Sequence, residues 1–173
     1  MQSWVDGDGR EKLNREQSSR PLQASHVRNT QEEKRLAFGD LQVTVKATGA
    51  EPNGCFGLVE VTVPPYFADF WPHLHHTTSE AIYLTHGMVA VTLGEETMVV
   101  RQGSFIFVPP RQVHRIWNPA ATAATFLVYF TPAGAEDFFE ALAALGLPVS
   151  SDRPSVAADV WTLGTNYDHF PAP

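Results

Sequence analysis

Cysteine is almost missing from this sequence: among 173 residues only Cys55 carries a thiol, so no internal disulfide can form. A lone thiol suits a reducing compartment, and a cytoplasmic location is expected. Cys55 has no basic neighbour in sequence and stands beside Phe56, so it is expected as a small core residue rather than a nucleophile. Long apolar runs are missing too. The longest, around residues 124–130, is far short of the roughly 20 residues that a spanning helix needs, so no membrane segment is expected. No apolar stretch follows basic residues near the first methionine, and a secretory signal is not expected. Charge is scarce, at 18% of residues against 43% hydrophobic, which is the balance of a folded domain rather than a disordered chain. A basic excess is also lacking. Residues 1–35 hold seven Lys or Arg against six Asp or Glu, while residues 36–173 hold five against thirteen. An acidic body repels phosphates, so nucleic acid is not an expected partner.

What is present falls into three zones. Residues 1–35 are polar, with Trp4, Val5, Leu13, Leu22 and Val27 scattered among them, and read as a solvated arm or short helices outside the core. Residues 36–148 read as a barrel followed by a helix. Short runs of β type lie at 41–48, 56–63, 80–85, 88–93, 97–101, 105–108, 113–117 and 124–131. Gly94-Glu95-Glu96 signals a hairpin turn, and Pro64-Pro65 and Pro109-Pro110 end strands. Short strands at this spacing without intervening helices argue for an all-β sandwich or barrel. At 134–145 the period lengthens: Phe138, Phe139, Leu142 and Leu145 recur near 3.6 residues, and Gly146 and Pro148 close a helix. Residues 149–173 form a tail, packed on the barrel or loosely ordered, with a short helix expected near 155–161.

The chemistry concentrates in the barrel zone. On a strand, His73 and His75 point the same way, because side chains alternate faces, and Glu80 can reach the same point from the start of the next strand. A later strand supplies His114 on the face of Ile116. Three imidazoles and a carboxylate make a mixed nitrogen and oxygen site of the kind that suits divalent first-row metals and leaves positions open. Buried without a metal, such a set is costly to desolvate.

These residues resemble the two motifs of the cupins. The first reads His73, His75, four residues, Glu80, six residues, Gly87; the second reads Gly103, Pro109, Arg111, His114 and Asn118, with 15 residues between the two motifs. Every position matches except Arg111, which stands where the family has a glycine that tolerates positive φ. The resemblance covers about residues 36–145 and implies an all-β double-stranded β-helix, a jelly-roll barrel. It also implies one divalent transition metal (iron, manganese, nickel, cobalt, copper or zinc) held by His73, His75, Glu80 and His114. Within the superfamily the chain looks most similar to small quercetin 2,3-dioxygenase-like cupins. That likeness rests on His76 after the first motif, Phe107-Val108-Pro109 before the second, and Phe130-Thr131-Pro132-Ala133-Gly134 with Glu136 and Phe138-Phe139. It implies a dioxygenase acting on an aromatic or enolic small molecule, with Glu80 as the catalytic group that accepts a hydroxyl proton. The alternatives are a cyclase or isomerase of polyketide type, and a non-catalytic small-molecule binder; four ligands on a six-coordinate metal leave two positions free, which leans against the last. Cupins commonly pair through their sheets, so a homodimer is expected.

Other residues take plainer readings. His76 points away from the site by alternation, and His26, His86 and His169 are expected as solvated surface histidines. Asn118 is expected to tie down a loop with its amide. Phe56, Tyr83, Phe105, Phe107, Trp117, Phe126, Tyr129 and Phe130 are expected mainly as core filling, with some lining the barrel mouth.

Overall fold

Alternating apolar residues build the architecture. In the computed structural model, residues 25–51, 53–68, 70–149 and 154–173 are described. Most of the expected N-terminal arm, 1–24, therefore lies outside the described residues. Eleven strands follow in order: β1 Lys34–Phe38, β2 Leu41–Ala47, β3 Gly57–Val63, β4 His73–Leu74, β5 Ser79–His86, β6 Met88–Leu93, β7 Glu96–Arg101, β8 Phe105–Val108, β9 His114–Trp117, β10 Ala124–Thr131 and β11 Phe170–Pro171. Helices α1 Asp137–Ala144 and α2 Pro154–Gly164 lie between β10 and β11, and a 3-10 turn at Thr165–Tyr167 follows α2.

The strands form two antiparallel sheets, β1-β2-β3-β10-β5-β8 and β11-β4-β9-β6-β7. Their facing surfaces make one core. The first sheet contributes Leu41, Val43, Val59, Val61, Ile82 and Phe126 among others, and the second contributes Val89, Val91 and Ile116. Each fully buried Val, Leu, Ile or Phe is worth roughly 1.5–3 kcal/mol over its exposed state, so the two inner faces hold the sandwich shut. This is the jelly-roll barrel that the strand spacing and the motifs imply.

Side-chain parity corrects part of the expected core. β5 buries Glu80, Ile82 and Leu84, which turns Tyr83 outward, 44% exposed. β8 buries Ile106 and Val108 and leaves Phe105 and Phe107 65% and 54% exposed, while Tyr129 on β10 is 36% exposed. These four rings cover the outer face rather than fill the core. Cys55 is likewise exposed, in the turn before β3, and is not a core residue.

The helices close one end of the barrel. Phe138 and Leu142 of α1 and Val160 of α2 make a second small core against Trp71, Leu147 and Leu163. α1 ends where Gly146 takes a φ of 64° and the Leu147 N–H donates to Leu142 O at 2.9 Å, a left-handed turn that glycine enters freely. Among the described residues, no helix is long and apolar enough to cross a membrane.

Candidate metal centre

Three strands and one loop converge here. His73 on β4 and His114 on β9 are register partners in one sheet. Glu80 is the second residue of β5 in the other sheet, opposite Val108 and Phe130. His75 sits in the loop between them. One ligand atom from each of the four lies within 4.8 Å of the others, so the set predicted from the motif can hold a metal ion. His75, Glu80 and His114 are buried, and His73 lines the chamber above.

The tautomers follow from the hydrogen bonds. His73 Nδ1–H donates to Trp71 O at 3.0 Å, His75 Nδ1–H to Asp168 O at 2.7 Å, and His114 Nδ1–H to Gln112 O at 3.0 Å. A carbonyl can only accept, so each Nδ1 carries the proton and each Nε2 is turned toward the common point. His114 Nε2 lies 3.4 Å from Glu80 Oε2 without a hydrogen bond, and it is a buried atom with no partner. An orphaned buried nitrogen costs free energy, and coordination to a cation would satisfy it. The donor set therefore fits a metal.

Electrostatics agree with that geometry. His75 Nε2 lies 2.7 Å from Glu80 Oε1. Since Nδ1 of the same ring also donates, this contact favours the protonated ring. Burial works against its charge, but the hydrogen bond and charge of Glu80 outweigh burial and raise its pKa above the usual value. Glu80 mirrors this: burial pushes its carboxyl up, yet His114 and His75 hold it well below the usual range. Burial, then the neighbouring His114, keeps His73 neutral.

Above the cluster lies a chamber walled by Phe70, Trp71, Phe126, Phe130, Phe138 and Phe139. It encloses about 80 Å³, several times the roughly 10–15 Å³ that houses one water. That is room for a small organic molecule. The wall also contains His169, expected at the surface but only 5% exposed. β11 pairs with β4 through Phe170–Leu74 and Pro171–His73, and this carries the preceding residue inward. The His169 ring stacks on Phe138 at 4.3 Å and lies 4.5 Å from His75, centre to centre. Its Nδ1–H donates to Tyr167 O at 3.0 Å. Burial, then the charge of His75, pushes its pKa down to about 3, so it is a neutral imidazole with its proton on Nδ1. No period or motif marks it; the only signal in sequence is Asp168 beside it, a residue suited to turns.

The plainer readings divide. His26 and His86 are exposed. His76 is exposed as expected, although its ring stacks on Phe170 at 3.9 Å. Asn118 ties its loop, with Nδ2–H groups donating to Pro64 O and Thr122 O at 2.9 and 2.8 Å and Oδ1 accepting the Ala120 N–H. Arg111 takes a φ of 68°, the conformation for which the motif favours glycine, and its N–H donates to His75 O at 2.6 Å.

Fold and site together define a small jelly-roll barrel with a buried cluster of histidines and a carboxylate. Residues 59–130 match the model of the cupin domain. Solved structures agree on the fold. An RmlC-like cupin from Shewanella frigidimarina is 22% identical with a TM-score of 0.54, over 64% of this chain and 94% of that one. A predicted oxalate decarboxylase from Thermotoga maritima is 18% identical with a TM-score of 0.55, over 62% and 99%. A nucleoside dehydratase from Streptomyces is 17% identical with a TM-score of 0.52, over 64% and 84%. An uncharacterised protein of Methanocaldococcus jannaschii is 37% identical over 46 residues, 27% of this chain and 37% of that protein's length.

Proposed function

We propose that the protein is a metal-dependent enzyme on the cupin fold, with one divalent transition metal held by His73, His75, Glu80 and His114. The observation that carries this reading is the shared tautomer: three Nδ1–H groups are fixed on main-chain carbonyls, which aims three Nε2 atoms and a carboxylate at one point below an apolar chamber. Iron, manganese, cobalt, nickel, copper and zinc all accept such ligands. A bound metal would polarise a substrate oxygen and, if redox-active, support chemistry with dioxygen.

The chain's own residues point to the substrate class. An apolar, aromatic wall favours a flat, weakly charged molecule, and the chamber's size favours a small ring or enol over several fused rings. Glu80 is placed to take the proton of an enolic or phenolic hydroxyl. His169 offers a neutral acceptor on the same wall. Phe138 and Phe139, with the two helices behind them, form an apolar part of the chamber wall. On this reading the reaction is a dioxygenase cleavage of an enolic or aromatic small molecule in the cytoplasm.

A second reading is cyclisation or isomerisation. Its support is that the chamber holds two groups able to exchange a proton, Glu80 and His169, and such chemistry needs no dioxygen. The experiment is metal analysis of gently purified protein, then an oxygen electrode and product analysis with small enols and flavonols. About one metal per chain with dioxygen uptake supports the first reading. Product without uptake selects the second. Metal-free protein that resists reconstitution with every first-row divalent ion removes both.

A further inference from the structure

The residues that follow α2 run back along the metal loop. β11 adds to β4, the strand of His73, and the Ala172 N–H donates to Pro72 O at 3.2 Å. Between α2 and β11, Asp168 takes a left-handed φ of 61° and aims its carboxylate at the stretch joining His75 to Glu80. Oδ1 accepts the His76 N–H at 2.8 Å; Oδ2 accepts the Thr77 N–H at 2.9 Å, the Thr77 hydroxyl at 2.9 Å and the Thr78 N–H at 2.8 Å. The carbonyl of the same residue receives His75 Nδ1–H at 2.7 Å. One residue thus holds three successive amides of the loop and sets the tautomer of its histidine. Phe170 stacks on His76 at 3.9 Å and 14°. At the far end, a Cβ added to Gly164 would meet His169 O at 3.0 Å, so the chain turns tightly there.

We infer that the C-terminal segment Thr165–Pro171 is a strap that completes the metal site, with Asp168 as the positioning residue for His75, so that strap docking and metal binding strengthen each other. The inference rests on the reading of the cluster as a metal site. A ligating imidazole depends on whatever holds its other nitrogen, and losing such a partner typically weakens metal binding about 10–100-fold. Here the partner is a main-chain carbonyl, and the four bonds of the Asp168 side chain fix it against the loop that carries His75. Coupling between two binding events is reciprocal, so the metal must also tighten the strap.

The test uses cobalt(II) alone as the probe, on the full chain. Asp168→Ala is expected to weaken cobalt affinity about 10–100-fold and to alter the visible spectrum of the bound ion. Asp168→Asn, which keeps an acceptor and tolerates the left-handed conformation, is expected to fall between Ala and wild type. A purely structural role would lower the melting temperature with and without metal alike and leave the affinity untouched. Hydrogen exchange on wild type needs no variant: cobalt is expected to slow exchange at the amides of His76, Thr77 and Thr78 and across the strap. Cobalt affinity within twofold of wild type in Asp168→Ala, or unchanged protection of the strap in cobalt-loaded wild type, overturns the inference and leaves the metal reading standing. Absence of cobalt binding by wild type overturns both.

Discussion

Glu80 is asked to do two things, hold a cation and take a proton, and a substitution separates them. Glu80→Gln keeps the shape and one coordinating oxygen but loses the charge. If the carboxylate also takes the substrate's proton, turnover at full metal occupancy should stay about 10²–10⁴-fold down, the usual cost of a missing general base. His114→Ala should instead lose metal first. Turnover is measured at known occupancy for both variants, and near-normal turnover of metal-saturated Glu80→Gln would sink the base role. The buried imidazoles also set a pH dependence once the metal is removed. His73 is held well below its ordinary pKa and His169 at about 3, so both stay neutral in the fold. Below about pH 6.5, the ordinary pKa of an imidazole, the unfolded chain takes up protons that these two rings refuse. Stability should therefore fall as pH drops. His75, raised, works the other way, but one raised ring does not offset two strongly lowered ones. The urea midpoint of chelator-treated protein should thus be lower at pH 5 than at pH 7.5, with a smaller difference in His169→Phe. A higher midpoint at pH 5 would contradict this account.

At the scale of elements, β3 and the turn before α1 meet at one point. Glu136 is buried; its Oε1 accepts the Gly49 N–H at 2.9 Å and its Oε2 the Gly134 N–H at 2.7 Å. A Cβ at Gly57 would fall 2.0 Å from that carboxylate. Gly57→Ala should cost about 2–4 kcal/mol, from overpacking and broken hydrogen bonds together. The cost should shrink when Glu136→Ala is already present, which chemical denaturation of the four proteins in the cycle can show. Additive effects would mean that the contact is not the cause. Eight strands were legible within about two residues, because each alternates or carries a dense apolar run ended by Gly or Pro. β1 and β11 were not recognised as strands, and the strand expected to carry both His73 and His75 is β4, which ends at Leu74 and leaves His75 in a loop. β4 and β11 are two residues each, too short for any period, and exist only because they pair with each other and with β9. α1 was legible from its apolar spacing and stop signals, and α2 overlaps the short helix expected near 155–161.

At the scale of the whole molecule, the outer face carries a patch of exposed aromatic rings. Tyr83, Phe105, Phe107 and Tyr129 stand exposed together, and among the described residues β8 is the edge strand of its sheet. An apolar patch beside an unpaired strand invites association. We propose that two copies meet on this face. Light scattering at micromolar concentration should then report a dimer, and Phe105→Lys with Phe107→Lys should give a monomer that keeps its metal. A wild-type monomer would refute it.

The sequence by itself determined the barrel and the four candidate ligands. Both follow from local order: alternation decides which side chains face inward, and motif spacing decides which imidazoles and carboxylate can share a point. The same local order could not say which aromatics a strand buries, since parity depends on the neighbour across the sheet. That is why Tyr83, Phe105, Phe107 and Tyr129 read as core and stand outside. Nor could it place Asp168 and His169, about ninety residues from the metal loop. Their role arises only when the tail folds back and pairs with β4, a long-range contact that leaves no period or spacing in the chain.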